Sequence, residues 1–339
     1  MKLRLLILFV FVLTTARVQA QDPNLSLPFA NPQIINPAFA GLVEGDFRMN
    51  AAHRWRRATL DVDMQTSFFS GDLAIRNRFM DGGAGLFFNT DKTPGLRRTN
   101  AHLSFAYEVP FGVKVRYHHL RAGFQAGIIH QNVTPGELVF EDQFNGTGFS
   151  GNTSENFNRM SMISPDISVG LLYYRTQKIR GNPEFNYFLG AAGQHVNRPR
   201  MSFIEVPGEQ SNMRISGLAG GKIRTRTPID LNISSMWWMQ NNSQQLLLNF
   251  FFFFFFFENG IPFGRHNASV MLGASWRSDD ALSGYLGFEW KKSLSVGVAA
   301  DLYTPPVAYA NAYGGLQVMV SYLFGHQQYR DPALPFPFF

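Results

Sequence analysis

Apolar residues alternate with small or polar residues in many segments of this chain, and this alternation is the strongest constraint on its fold. One such run is formed by Leu294, Val296, Val298, Ala300 and Leu302. The segments that begin at Leu316 and at Ala268 repeat the pattern. A period of two residues predicts β-strands, because successive side chains of a strand point to opposite faces.

The residues between the apolar positions indicate what surrounds these strands. A soluble β-sandwich turns this second face to bulk water, whereas here the face holds mostly Gly, Ser, Ala, Asn and Gln. Only 16% of the residues are charged, against roughly 25% in an ordinary soluble domain. Small uncharged residues suit the crowded interior of a barrel whose apolar face meets lipid.

Aromatic residues near the ends of the apolar runs fit the interfacial girdles of an outer-membrane barrel. They are Trp55, Tyr107, Trp237, Trp276 and Trp290. The alternative interpretation places these aromatic residues in the core of a soluble β protein.

Fourteen segments carry the pattern, so we expect an all-β fold, a single transmembrane antiparallel β-barrel of the outer-membrane type. The predicted strands are 46–56, 63–75, 82–90, 100–109, 119–133, 165–176, 184–196, 213–223, 229–238, 244–257, 267–277, 281–290, 294–302 and 314–324. If the chain enters from the periplasm, connections after odd-numbered strands lie outside the cell. The longest connection, 134–164, is one of them.

The two ends of the chain fall outside the strand pattern. Lys2 and Arg4 precede the apolar stretch 5–13, and small residues follow at 18–20, which is typical of a signal peptide for export. The predicted divisions are a signal peptide at 1–20, a periplasmic or plug-like segment at 21–45, the barrel at 46–324 and a Pro/Phe-rich tail at 325–339.

Composition and motifs count against catalysis and cofactors. The chain has no cysteine, which excludes disulfides, thiolate zinc sites and iron–sulfur clusters. No GxSxG or HExxH motif occurs, and the adjacent His118 and His119 would face opposite sides of a strand. The predicted signal peptide holds three of the 30 basic residues and none of the 24 acidic ones, so the rest has 27 against 24. We therefore expect no enzyme activity, no catalytic, cofactor or metal site and no nucleic-acid partner.

A run of eight phenylalanines at 250–257 departs from the pattern. A barrel strand would turn four of these rings to lipid and four into the lumen, where neighbouring strands have small polar residues. No function is inferred from this run.

Several motifs, taken in their order along the chain, carry a family resemblance. They include Phe29-Ala30-Asn31-Pro32, Asn36-Pro37-Ala38-Phe39-Ala40-Gly41, His53-Arg54-Trp55, Pro165-Asp166-Ile167, His195-Val196-Asn197-Arg198-Pro199 and Gly273-Ala274-Ser275-Trp276-Arg277. Over about 21–324 the chain resembles the PorP/SprF family of Bacteroidota outer-membrane proteins, which belongs to the type IX secretion and gliding machinery.

The resemblance implies a barrel that helps to place secreted cargo at the cell surface, in particular adhesins with a C-terminal sorting domain. It also implies association with periplasmic type IX components, including a peptidoglycan-binding lipoprotein, and with outer-membrane lipid. It implies no enzymatic activity. The tail at 325–339 departs from the family, whose chains commonly stop on an aromatic residue near the position of Phe324.

The outer connections are the candidate surface for cargo, because they combine aromatic residues with mobile Gly and Asn residues. The candidate cargo contacts are Glu137, Phe144, Phe149, Phe157, Arg198 and Tyr309. The alternative is that the longest connection folds into the barrel mouth as a constriction.

Basic residues prevail in the connections after even-numbered strands, where they could steer an acidic periplasmic partner. The candidate docking residues are Arg76, Arg78, Arg180, Arg224, Arg226 and Lys291. The alternative is that these are turn residues that favour solubility.

Two other functions remain open on the sequence. Fourteen strands also permit an outer-membrane porin or a hydrophobic-ligand transporter, unless the segment 22–40 plugs the lumen. A membrane-embedded hydrolase is the third class, and the absent catalytic motifs count against it.

Overall fold

The computed structural model describes residues 25–57, 63–77, 80–110, 118–138, 143, 160–176, 184–201, 203, 210–225, 227–257, 266–278, 280–304, 313–325 and 336. Fourteen strands in this part of the chain close into one barrel. Each strand pairs antiparallel with its neighbours in sequence, and β1 pairs with β14 to complete the circle. The predicted all-β barrel is confirmed. The predicted signal peptide at 1–20 lies outside the described residues.

The strands are β1 Phe47–Arg57, β2 Asp63–Arg76, β3 Asp81–Thr93, β4 Leu96–Pro110, β5 His118–Val133, β6 Ser161–Arg175, β7 Glu184–Gln194, β8 Arg214–Arg224, β9 Ile229–Gln240, β10 Ser243–Phe257, β11 His266–Arg277, β12 Ala281–Trp290, β13 Leu294–Tyr303 and β14 Tyr313–Phe324. All fourteen predicted strands are present. The largest differences in bounds are at the starts of β4 and β6, which begin at Leu96 and Ser161 rather than at 100 and 165.

The polar hairpin between β3 and β4 shows why the strands predicted from sequence periodicity are too short. Their backbones pair as far as Thr93↔Leu96, well beyond Phe88 and Leu103, the last large apolar residues exposed on the outer faces of the two strands. The Pro94-Gly95 turn closes the hairpin, and Gly95 adopts a φ of 71° that favours glycine. Strand ends that project beyond the membrane lose the apolar alternation while they keep their backbone pairing.

The two faces of the wall differ as the alternation predicts. Along β5, Leu120 and Phe124 are exposed on the outer surface, whereas Arg121 and Gln125 are buried in the lumen. Leu103 on β4 is the most exposed of the large apolar side chains, at 70%. The five predicted girdle aromatics all point outward, with exposed fractions between 39% and 46%. An outer face of this kind is built for lipid, which excludes the soluble alternative.

The phenylalanine run alternates as a strand does. Phe250, Phe252 and Phe256 are exposed on the outer face, whereas Phe251 is 1% exposed. Phe251 packs inward against Leu27 of the N-terminal segment, in one cluster with Met271 and Tyr285. A side chain at Gly273 on β11 would come within 2.3 Å of this ring, so the glycine makes room for it.

A segment of short turns precedes the barrel. It contains 3₁₀ turns at Pro28–Ala30 and Pro37–Phe39 around the one-turn helix α1, Pro32–Ile35. Each starts on a proline, whose fixed φ and missing N–H suit the first helical position. Residues 25–43 are buried apart from Ile34, which is half-buried. Among the described residues, no helix is long and apolar enough to cross a membrane.

The two ends of the barrel carry different connections. We call the end where β1 begins and β14 ends the even end, because connections after even-numbered strands lie there; the opposite end is the odd end. The longest connections, between β5 and β6 and between β7 and β8, lie at the odd end. Which end faces the periplasm stays a prediction, with the even end assigned to it.

Leu103→Arg tests the lipid-facing assignment. A charge on the lipid face near the middle of the bilayer is expected to destabilise the barrel by ~2–4 kcal/mol. Denaturant unfolding in liposomes measures the change, with Leu103→Met as the matched control. Equal stability of the two variants would contradict an outward, membrane-embedded Leu103.

Candidate functional site

The candidate site is the barrel lumen, which residues 25–43 occupy. We call these residues the plug. Its polar groups bond to inward-facing side chains or backbone carbonyls of β2, β5, β6, β7 and β11 to β14, so the segment is fixed on opposite sides of the wall. Four groups of contacts account for this attachment.

Asp301 on β13 is the centre of the first group. Its carboxylate accepts hydrogen bonds from Ser26 Oγ of the plug at 2.7 Å and from Ser283 Oγ at 2.6 Å. The guanidinium groups of Arg54 and Arg277 pair with the same carboxylate. All five residues are buried, so this cluster joins β1, β11, β12 and β13 to the start of the plug.

The same end of the plug is held through its backbone. Arg277 Nη1 donates to the Leu25 carbonyl at 3.0 Å, and the Tyr285 hydroxyl donates to the Ser26 carbonyl. The backbone N–H groups of Ser26 and Leu27 donate to Gln317 Oε1 at 3.0 and 3.3 Å. A segment without strand pairing thus satisfies its buried backbone groups on wall side chains.

Asp72 on β2 is the second centre. It accepts from Gln33 Nε2 at 2.9 Å and from the backbone N–H of Gly41 at 3.1 Å, both in the plug. Arg48 on β1 balances its charge through a 2.8 Å ion pair. A buried carboxylate needs such a partner, because burial without one is very costly.

Arg121 on β5 forms the third group. Its Nε and Nη2 donate to the carbonyls of Ala38 and Ala40 at 2.9 and 2.6 Å. Its Nη1 pairs with Glu108 at 2.6 Å. One guanidinium therefore binds two carbonyls of the 3₁₀ turn Pro37–Phe39 and its C-cap, which uses its rigid arrangement of donors.

Asn36 lies at the seam between β6 and β7. Its Nδ2 donates to the carbonyls of Leu171 and Ala191, at 3.0 and 3.1 Å, and its Oδ1 accepts from the N–H of Ala38. Among the described residues, these two strands share seven residue pairs, while each of the other thirteen pairs of adjacent strands shares between nine and fifteen. Asn36 thus reinforces the shortest ladder in the described part of the barrel.

Apolar contacts also hold the plug in the lumen. Phe29 of the plug packs edge-on against Phe188 of β7, at 6.2 Å between ring centroids. Phe336, from the C-terminal tail, lies against Phe39 at 5.0 Å and against Phe188 at 4.7 Å. The tail therefore contributes at least one fully buried ring, which packs between the plug and β7.

A histidine pair lies in the lumen towards the odd end. Asp166 on β6 contacts His102 Nε2 at 2.9 Å and His195 Nδ1 at 2.8 Å. His195 has a φ of 56° and begins the turn that leads to Arg198. Within the described residues no group of three or more His, Cys, Asp or Glu could hold a metal ion.

Two of the six predicted cargo contacts lie in the described part of the chain, both at the odd end. Glu137 Oε2 accepts from the backbone N–H of Gly95 at 3.0 Å, so this carboxylate supports the β3–β4 hairpin. Arg198 is exposed, with a φ of 47°. Four predicted contacts lie outside the described residues, namely Phe144, Phe149, Phe157 and Tyr309.

The predicted docking residues that the structure describes lie at the even end but do not form one cluster. Arg76 donates to the carbonyls of Gly45, at 2.8 Å, and Val43. Arg224 pairs with Asp230 at 3.6 Å. Lys291 is exposed in the β12–β13 turn. The predicted docking residues outside the described part are Arg78, Arg180 and Arg226.

Sequence reasoning missed the residues that hold the plug. Asp72, Arg121 and Asp301 are isolated charges in strands whose inward positions are otherwise mostly small or uncharged. That exception is a usable signal, because a lone charge that faces a packed lumen requires a partner there.

Comparison with known proteins identifies one family model. The model described as "Type IX secretion system membrane protein PorP/SprF" matches residues 17–322. No curated protein sequence matches the chain.

The chain also has low similarity to several solved structures. The CymD monoaromatic hydrocarbon channel is 9% identical, with a TM-score of 0.46 over 91% of this chain and 96% of that one. CdiB from Acinetobacter baumannii is 10% identical, with a TM-score of 0.45 over 82% of this chain, which spans 60% of CdiB. BamA from Haemophilus ducreyi, lacking POTRA domains 1–3, is 7% identical, with a TM-score of 0.39 over 82% of this chain and 70% of that one.

Asp301→Asn should loosen the plug. The substitution leaves Arg54 and Arg277 buried without their shared carboxylate, and breaking a buried ion pair in this way costs about 3–5 kcal/mol. Denaturant unfolding of the purified barrel and protease cleavage within 25–43 are the measurements. Asp81→Asn, at an exposed strand end, serves as the control; identical behaviour of the two variants would refute the anchoring role of Asp301.

Gly123→Ala should displace the plug sterically. A Cβ at Gly123 would lie 2.2 Å from the backbone nitrogen of Ala38, which cannot rotate away. Gly284→Ala is the matched control, since a Cβ there meets nothing within 4 Å. We expect higher ion conductance in planar bilayers for Gly123→Ala alone. Equal conductance of both variants would show that the plug does not need this close approach to seal the lumen.

Proposed function

Because the chain belongs to the PorP/SprF family of type IX secretion system membrane proteins, we propose that it is an outer-membrane barrel of that system. In this proposal it anchors a surface adhesin or other cargo with a C-terminal sorting domain, or helps to export it. It works together with other parts of the secretion system and has no enzymatic activity.

The filled lumen is the observation that carries this proposal. Residues 25–43 bond to both sides of the wall through buried charges and are themselves almost entirely buried. A chain or solute cannot pass through the volume that these residues occupy. The plug therefore favours a barrel that holds partners at its two ends over a barrel that conducts them.

At the odd end, hydrogen bonds hold one segment of the proposed cargo surface in place. Its segment 195–200 is attached to the edge of β6: the Val196 N–H donates to the Ile167 carbonyl at 2.9 Å, and Asn197 bonds both the Pro165 carbonyl and the Ile167 N–H. Such attachment lowers the entropy cost of ordering a surface on binding. Arg198 projects from this segment, which supports its assignment as a cargo contact.

The even end is suited to periplasmic partners. Lys291 and Lys292 lie in the β12–β13 turn, and Arg224 lies at the end of β8 on the same rim. Cations on a rim raise the rate of encounter with an acidic surface. We propose that periplasmic type IX components dock here, among them a peptidoglycan-binding lipoprotein.

Replacing 144–157 with a Gly/Ser linker of equal length tests the cargo role of the odd end. We expect at least a tenfold loss of adhesin at the cell surface, because the predicted contacts Phe144, Phe149 and Phe157 are removed. Surface immunolabelling measures the adhesin, and the heat-dependent gel mobility of the barrel checks its folding. The same replacement of 258–265, at the even end, is the control.

Two results would contradict the proposal. Unchanged adhesin display with a folded barrel would remove the cargo role of 144–157. Large single-channel currents through the wild-type protein would indicate the competing function of a porin.

A further inference from the structure

A cavity lies in the lumen between the plug and the even end. It borders Ala30 of the plug and the inner faces of β8, β10, β11, β12, β13, β14 and the start of β1. Its empty space is about 960 Å³, part of which is open to solvent. None of the hydrogen bonds or ion pairs described above for the plug involves a residue that lines this space, so the cavity is separate from the polar anchoring of the plug.

Lys222 on β8 is the most unusual residue of this cavity. The residue is 7% exposed, and its ammonium lies 4.9 Å from the ring centroid of Phe253. Within the described part of the chain, no acceptor lies within hydrogen-bond distance of this ammonium and no carboxylate within ion-pair distance. The ammonium itself is not fully buried, so it faces the open space of the cavity, and contact with one aromatic face provides no acceptor for its three N–H donors.

Other charged side chains also line the cavity around Lys222. Lys292 and Arg224 add positive charge to the lining, and Glu44 and Glu289 add negative charge. The Glu289 carboxylate accepts a long hydrogen bond of 3.5 Å from Ser269 Oγ. Asp230 pairs with Arg224, which leaves Lys222 and Lys292 against the two carboxylates of the lining. Because no carboxylate of the described residues lies within ion-pair distance of Lys222, an anionic group beside its ammonium is favoured.

The remaining wall is apolar and adaptable. Met271 belongs to the buried cluster that contains Leu27 and Ala30 of the plug, and Phe253 and Met319 pack against it. Methionine side chains adjust to ligands of different shape because they are unbranched and flexible. The part of the cavity next to the plug therefore suits a hydrocarbon chain, while Lys222 and Lys292 suit a charged group nearer the even end.

We propose that this cavity binds an amphipathic anion, a single acyl or alkyl chain that ends in a carboxylate or a phosphate. The anionic group lies at Lys222 Nζ, and the chain extends along Phe253, Met271 and Met319 towards the plug. Such a ligand supplies the acceptor that Lys222 lacks and covers the apolar wall in one step. The proposal does not depend on the cargo-anchoring function.

Native mass spectrometry of the purified full-length barrel in a neutral detergent tests the proposal. The probes are laurate and dodecyl phosphate, with dodecanol and dodecyltrimethylammonium as neutral and cationic chains of equal length. We expect one molecule of laurate or dodecyl phosphate per barrel, bound at least tenfold more tightly than the other two chains. Comparison of the two anions identifies the preferred headgroup.

Lys222→Met retains most of the side-chain volume and removes the charge. We expect it to weaken binding of the anion at least tenfold, or about 1.4 kcal/mol. The matched control is Lys92→Met, an exposed lysine of β3 at the odd end, which should bind as the wild type does. Glu289→Gln, which removes a carboxylate from the cavity, should bind the anion more tightly.

Three results would overturn the proposal. The first is equal affinity of the wild type for laurate, dodecyl phosphate and dodecanol. The second is unchanged affinity in a folded Lys222→Met barrel. If Lys222→Met does not fold, unchanged or weaker anion binding by Glu289→Gln is the result that counts against it.

Discussion

Buried charges that bind the backbone of the plug are the interactions on which the closed lumen depends. Strands of a membrane barrel satisfy their backbone groups by pairing with each other. The plug has no such pairing, so wall side chains supply its partners: Arg121 bonds two carbonyls, and Gln317 bonds two N–H groups. The charges of Asp72 and Asp301 are balanced by arginines of neighbouring strands. Removing one member of such a group leaves another charge buried without its partner, which destabilises the structure.

The small residues of the inner face follow from the same plug. Gly83 lies so close to Gly41 that an added Cβ would come within 2.4 Å of its Cα, and at Gly170 it would come within 1.9 Å of Asn36 Oδ1. Glycine at these positions lets the plug backbone approach the wall closely enough for its side chains to reach the strand carbonyls. The close approach of the plug thus explains the small inward-facing residues. A water-filled pore would not require residues this small.

A filled lumen separates the protein into two working ends. The odd end carries the long connections and the attached segment 195–200, and the even end carries the basic rim, both chain termini of the barrel and the cavity at Lys222. The plug runs into β1 at the even end, so the partner proposed for that end would bind next to residues that are continuous with the plug. This arrangement connects the proposed periplasmic docking to the proposed ligand cavity through one segment of chain.

Local periodicity in the sequence determined the class of fold, the number of strands and the direction of their faces, because alternation depends only on neighbouring residues and on the lipid outside. Periodicity did not predict the polar ends of β3 and β4, since backbone pairing continues there without alternating apolar side chains. The motif around Asn36 indicated the family without indicating its structural role. Only the tertiary structure decided which isolated charges meet, because Ser26 and Asp301 are 275 residues apart in sequence and their contact exists only once the barrel has closed around the plug. The cavity at Lys222 was equally invisible in the sequence, since its lining comes from seven strands and the plug.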